Sequence, residues 1–436
     1  MLQPIVLAML VAQNPAIVAT PSDALIDERV AITVSGLPPH TQVTLRSYVR
    51  ADSVTWYAAH GVYVTDARGA VWLGRDASTA GTYTGIDAMG LFWSGRKVDA
   101  PTEPWLQSLQ RVDPPKAYQM ALTVSIGDST HASTVVTRRF ESPDVRSEEV
   151  RAGDVVGSLF LPRNPPPAPA VIVLGGSEGG YQSSSYQARL LAAHGFIAFA
   201  QAYFRADGLR DELASVPVER VQRAIRFLQA RRDVGARSIA LIAHSRGTEL
   251  ALLSAGQYPE IRAVIVSGTS ATTGSGLTRS GEPHREAAWT LNGQALPVMQ
   301  WRPPAEALAQ FSKPDPVRLR LLFEPALSDA RAVRDAAIPV IGIRADVLII
   351  SGLDDHMGPA DIAGDMLMEW LARSGHQERR THLKYPEAGH VIGIPYTPTE
   401  LRLLPWRFSF GGTAAGYARA DVDSWTQLLD FLRGVR

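Results

Sequence analysis

The stretch Ile239-Ala-Leu-Ile-Ala-His-Ser-Arg-Gly-Thr-Glu-Leu-Ala-Leu-Leu253 constrains the fold more than any other part of the chain. Its first five residues are continuously apolar and too few for a helix, so they read as a strand buried on both faces, the kind found in parallel sheets. The run passes directly into a helical pattern, and parallel strands need such crossovers. Ser245 sits at the junction. A tight strand-to-helix turn there lifts a serine hydroxyl clear of the backbone and demands small neighbours, because helix and strand pass closely. Gly247 meets that demand, and Ala243 stands where the usual pattern has glycine. The turn also aims the Arg246 backbone N–H and the positive end of the helix at whatever lies beside the hydroxyl. Taken alone, the serine reads more readily as a helix cap than as a nucleophile. Its partners decide.

A serine hydroxyl attacks only when a histidine can take its proton, and the histidine needs a carboxylate to fix its tautomer. On an open α/β sheet these follow in the order serine, acid, histidine, each on a loop after a strand. Val347-Leu-Ile-Ile-Ser-Gly-Leu-Asp-Asp-His356 ends a strand with two carboxylates, and Thr381-His-Leu-Lys-Tyr-Pro-Glu-Ala-Gly-His390 ends the next with a histidine. Asp361–Ser374 reads as the helix between them. Asp355, three residues beyond Gly352, is the preferred acid; Asp354 is the alternative, more suited to capping or orienting the loop. His356 and His382 read as loop and strand-end residues, and His244 as a packing or pocket-lining group. Leu174-Gly-Gly-Ser-Glu-Gly-Gly180 follows an earlier strand, and its glycines let the backbone approach a substrate oxygen. Gly176 and Ser177 are the candidate second oxyanion donors, by offset. The loop lacks phosphate-binding spacing.

The rest of the second half alternates in the same way. Val155–Leu161, Val171–Leu174 and Ala263–Val266 read as strands, Val218 to Leu228 and Trp425 to Leu432 as helices, and residues 271–345 as a long excursion over the carboxyl edge of the sheet. Ahead of residue 150 the pattern differs. Val30–Val34, Val43–Tyr48 and Ala121–Ser125 are short strands between turn residues, which predicts a β-sandwich. The expected organisation is an all-β sandwich over 15–145 and a mostly parallel, doubly wound α/β domain over 150–436. With no cysteine in 436 residues, no disulfide pins the sandwich, and thiolate metal sites and cysteine nucleophiles are excluded.

Positive and negative side chains balance at 43 each, so no overall field favours nucleic acid. Residues 5–12 form an apolar run too short to span a bilayer and suited to a signal peptide, although no Lys or Arg precedes it. Residues 1–14 are therefore expected to be a leader or an N-terminal extension: export, to a periplasm for example, follows in the first case and a cytoplasmic location in the second. No later run suggests a membrane span.

With these residues in view, the chain resembles the acyl-CoA thioesterase and bile acid-CoA:amino acid N-acyltransferase family. The resemblance rests on Asp27-Glu-Arg-Val-Ala-Ile-Thr-Val-Ser-Gly-Leu37 and Gly85-Ile-Asp-Ala-Met-Gly-Leu-Phe-Trp93 in the first part. In the second it rests on Ser245-Arg-Gly-Thr-Glu-Leu250, Asp354-Asp-His356 and Tyr385-Pro-Glu-Ala-Gly-His-Val-Ile-Gly-Ile-Pro-Tyr396. It implies an immunoglobulin-like sandwich before an α/β-hydrolase domain, with Asp355 as acid and His390 as base. Within that family a serine nucleophile goes with hydrolysis and a cysteine with acyl transfer to an amino acid, so Ser245 implies a thioesterase. Ala243, Glu178 within the glycine loop, and the residues after His356, which lack the family's usual Trp, depart from its pattern.

The expected chemistry is hydrolysis of an acyl thioester through a Ser245 acyl-enzyme, needing no metal and no dissociable cofactor. The partner is a small acyl thioester or ester. Two alternatives stand beside it: a carboxylesterase or lactone hydrolase on the same scaffold, favoured if the protein is exported away from coenzyme A, and a binding protein with an inert hydrolase domain.

Overall fold

The computed structural model describes residues 14–52, 54–109, 116–163, 169–234, 238–403 and 407–435. The leader expected at the N-terminus lies almost wholly outside the described residues. The chain divides into two compact units: one takes Met1–Arg139 and Tyr396–Glu400, the other Phe140–Pro395 and Leu401–Arg436. The dividing point thus falls ahead of the expected 145–150 stretch, and five residues from the second half belong with the first unit.

The first unit holds two sheets. Ala16–Thr20, Ala31–Ser35 and Val71–Trp72 form the smaller; the larger runs in the order Asp23–Leu25, Ser129–Arg139, Ala117–Ile126, Gln42–Arg50, Trp56–Val64, Ala80–Gly81. In Gln42–Arg50 the buried residues Val43, Leu45, Ser47 and Val49 alternate with more exposed neighbours, as strands with one core face should. With no cysteine in the chain, packing rather than a disulfide holds the unit. A buried arginine adds to it: Arg138 donates to the carbonyls of Ile26 (2.7 Å) and Glu28 (2.8 Å) and lies over the Phe92 ring.

The second unit is built on one eight-stranded sheet. Its strands are β1 (Val145–Ala152), β2 (Val155–Pro162), β3 (Ala170–Leu174), β4 (Ala198–Ala202), β5 (Ile239–His244), β6 (Ile261–Ser267), β7 (Asp346–Gly352) and β8 (Arg380–Tyr385), in the spatial order β1-β2-β4-β3-β5-β6-β7-β8. β1 and β2 are antiparallel to their neighbours, and from β4 to β8 all pairs are parallel. This is the α/β-hydrolase arrangement. β3, β4 and β5 are buried almost throughout because helices cover both faces. The main helices are α1 (Gln182–Ala193), α2 (Glu219–Ala230), α3 (Gly247–Gln257), α4 (Ala360–Arg373) and α5 (Ala414–Arg433). α3 is buried continuously from Gly247 to Ala255, its polar Thr248, Glu249 and Ser254 included. The chain leaves β3 for β4 on one side and returns to β5 on the other. The loops after β3 and β5 therefore meet at the carboxyl ends of the strands, where open α/β sheets bind ligands.

Candidate active site

Ser245 occupies the turn between β5 and α3 with φ of 51°, a left-handed conformation that costs a non-glycine residue roughly 1–2 kcal/mol. Local bonds hold it there. The Ser245 N–H donates to Ser267 O (2.9 Å), and Ser245 O accepts from the Thr248 N–H (3.0 Å) and hydroxyl (2.6 Å). Gly247 is obligatory, because a Cβ there would lie 2.2 Å from the Gly175 carbonyl oxygen. Ala243 is buried at the usual glycine position.

The loops after β7 and β8 bring the remaining two groups to the hydroxyl. His390 Nε2 is 3.0 Å from Ser245 Oγ, and His390 Nδ1 is 2.8 Å from Asp355 Oδ2. Asp355 is fully buried; its other oxygen accepts from the N–H groups of Met357 (2.7 Å) and Gly358 (3.1 Å), which fixes the carboxylate. The His390 backbone N–H donates to Phe410 O (2.9 Å), and the Phe410 ring stacks near the imidazole. Gly268 lies against it: a Cβ would come 2.9 Å from His390 Cε1. The sequence reading missed Gly268, although a glycine just after a buried strand is a signal that could have found it.

The other expected residues divide cleanly. Asp354 faces away, accepting from Gly412 N–H (2.9 Å) and lying 3.0 Å from His356 Nε2, so it ties loops together. His356 also meets Ser409 Oγ at 2.8 Å. His382 bridges Ser351 Oγ (2.9 Å) and Asp365 Oδ1 (3.1 Å), remote from the serine, and burial lowers its pKa. His244 lies with its ring 5.0 Å from that of His390. Burial, followed by the neighbouring His390, pushes it down to about 4, so it is a neutral wall of the site at pH 7.

The Arg246 side chain turns from the hydroxyl to pair with buried Glu249 (2.6 Å) and to donate to Ser275 O (2.7 Å). Glu249 also accepts from Trp289 Nε1 (2.7 Å) and Gly274 N–H (3.0 Å), which ties the excursion to α3. Among the described residues the backbone N–H groups of Arg246 and Ser177 have no acceptor. Gly176 differs: its N–H donates to Glu178 Oε1 at 3.0 Å. No group of three or more metal-binding side chains occurs among the described residues.

Residues 27–152 match the model of the acyl-CoA thioester hydrolase/BAAT N-terminal region, and residues 216–435 that of the BAAT/acyl-CoA thioester hydrolase C terminal. The chain belongs to the acyl-CoA thioesterase and bile acid-CoA:amino acid N-acyltransferase family. Members similar to it include acyl-coenzyme A thioesterase 1 of Mus musculus, 31% identical over 93% of each chain. The mitochondrial acyl-coenzyme A thioesterase 2 of Mus musculus is 32% identical over 93% of this chain and 86% of its own. Acyl-coenzyme A amino acid N-acyltransferase 1 of the same organism is 30% identical over 96% and 97%. The family thus spans both hydrolysis and acyl transfer, and the matched segments include Ser245, Asp355 and His390.

Proposed function

We propose that this chain is a serine thioesterase that hydrolyses acyl-CoA. The observation that carries the reading is the unbroken relay from Asp355 Oδ2 through both nitrogens of His390 to Ser245 Oγ, at 2.8 and 3.0 Å. Ser245 transfers its proton to His390 Nε2 as Oγ bonds to the acyl carbon, and the carbonyl π pair moves onto oxygen. The Arg246 N–H and an N–H of the Gly176–Ser177 segment receive that charge. Collapse breaks the C–S bond, and His390 returns the proton to the departing sulfur. A water then gives a proton to His390 and its oxygen to the acyl carbon. The second collapse releases the carboxylic acid, and Oγ recovers its proton. Asp355 holds the imidazole in the tautomer that places its free lone pair at Oγ, and stabilises the imidazolium.

Relatives with thioesterase names favour a thioester as substrate, and serine at position 245 favours water over an amine as acceptor, given the family's division between the two nucleophiles. The test compares wild type with Ser245→Ala on a panel of acyl-CoAs and p-nitrophenyl esters, with fluorophosphonate labelling alongside. The expected result is labelling at Ser245, preference for acyl-CoA, and a loss of about ten-thousand-fold or more in kcat for the variant. Retained turnover in Ser245→Ala would remove the serine from the mechanism; preference for simple esters would replace the substrate class.

A further inference from the structure

Two peptide groups beside Ser245 are aimed by a buried phenol. Tyr203 follows β4, is 1% exposed, and packs on Trp289 and Phe204. Its hydroxyl lies 2.9 Å from Gly175 O and 3.0 Å from Gly176 O, so its single proton is shared between consecutive carbonyls. Burial raises the phenol's pKa well above its ordinary value, which keeps it a donor. In a trans peptide the N–H points opposite to the C=O. The N–H groups of Gly176 and Ser177 therefore both point away from Tyr203. This segment abuts the nucleophile: a Cβ on Gly176 would lie 3.0 Å from Ser245 Cβ.

Consecutive N–H groups of this kind make an anion-binding concavity. One of the two is already occupied by Glu178, whose Oε1 accepts from Gly176 N–H (3.0 Å) and from the Ser183 hydroxyl (2.5 Å) in the first turn of α1. The Ser177 N–H is left over, on an exposed residue. We propose that Tyr203 and Glu178 are positioning residues of the oxyanion pocket: the phenol aims both N–H groups, and the carboxylate engages the first. Ser177 N–H then meets the substrate oxygen together with Arg246 N–H. Glu178, which interrupts the glycine loop, is on this account a brace. The proposal rests on the serine mechanism above and chooses between its two donors.

Steady-state turnover of octanoyl-CoA, inhibition by a trifluoromethyl ketone thioether and thermal melting are measured for Tyr203→Phe, Glu178→Gln, Glu178→Leu and Ser245→Ala. Misaiming one donor costs about 100-fold or more in kcat. Tyr203→Phe, which keeps the ring, is expected to lose on that order with KM within about twofold of wild type. Its ketone inhibition constant should weaken by the same factor as kcat/KM, because the ketone forms an oxyanion on the serine. Glu178→Leu should lose at least about tenfold in kcat with the same matched loss, and Glu178→Gln, which keeps an acceptor oxygen, clearly less. Should Tyr203→Phe fail to fold, the two exposed Glu178 variants carry the test. Unchanged ketone affinity in the folded variants, or equal activity in Leu and Gln, overturns the proposal. If Ser245→Ala is inactive while Tyr203→Phe and Glu178→Leu keep full activity, the pocket assignment alone falls. If Ser245→Ala stays active, the serine mechanism falls with it.

Discussion

Asp354 and Asp355 are adjacent in the chain and serve different partners: Asp355 Oδ2 meets His390 Nδ1 at 2.8 Å, whereas Asp354 accepts from Gly412 N–H at 2.9 Å. The divergence lets neighbouring substitutions separate chemistry from architecture. Asp355→Asn presents the wrong hydrogen-bonding group to the imidazole, and kcat for acyl-CoA is expected to fall about ten-thousand-fold with KM little changed. Asp354→Asn should leave kcat within a few-fold and lower stability by about 1 kcal/mol through the Gly412 contact. Steady-state kinetics and melting curves check both; the reverse pattern would transfer the acid role to Asp354.

Gly247 admits no side chain. Since its Cβ would meet the Gly175 carbonyl at 2.2 Å, Gly247→Ala must push the loop after β3 away from α3. The expected outcome is a loss of about 1–3 kcal/mol in stability and slower labelling by a fluorophosphonate, because the same loop faces the serine. Wild-type labelling and melting would show that the backbone yields at no cost.

The pKa of His244, lowered to about 4 from 6.5, has a consequence for acid stability. Between those values the unfolded chain binds a proton that the folded site refuses, so stability falls as pH drops through the window and is regained above it. His382, also lowered by burial, acts in the same direction. Melting temperature measured from pH 7 to pH 4 should decline in the wild type and decline less steeply in His244→Gln. Identical slopes would assign the acid sensitivity elsewhere.

Asp421 on α5 is buried, pairs with both its oxygens to Arg402 (2.7 and 2.9 Å), and accepts from Gly393 N–H at 2.8 Å. Gly393 lies three residues beyond His390, so this buried pair anchors the loop that carries His390. Removing one partner leaves an uncompensated buried charge, and Asp421→Ala is expected to cost about 3–5 kcal/mol. The double variant Asp421→Leu with Arg402→Met should recover part of the stability. Chemical denaturation of the single and double variants measures the difference.

Much of what was legible in the sequence lies where burial imposes a pattern, although β4, just as buried, was not read. β3, β5 and β7 are buried on both faces and read as unbroken apolar runs, so the turns after them could be located, and with them Ser245 and the two carboxylates. β1 was missed because Val145-Arg-Ser-Glu-Glu-Val-Arg-Ala152 buries only Val145 and Val150. An edge strand of that composition reads as a loop. The excursion over 271–345 was opaque for a related reason. Its strands run from two to five residues and most of its helices are a single turn, too short for any period to declare itself. The offset from a strand end made Gly176 and Ser177 equivalent candidate donors. Only the Glu178 carboxylate, from two residues along, distinguishes them, and its orientation depends on Ser183, which no local pattern predicts.

Tyr396–Glu400 folds with the first unit although the chain on either side belongs to the second. Within that unit Thr399 Oγ1 donates to Trp93 O at 3.2 Å, and the Lys97 N–H donates to the Glu400 carboxylate. A gene fusion with a single crossover near residue 140 would therefore separate a front unit from a pentapeptide encoded far downstream. Exchanging front units between relatives needs junctions at 139/140, 395/396 and 400/401 together. Recombination that respects only the first would produce chimaeras with mismatched inserts, so the two halves are expected to be inherited as a pair.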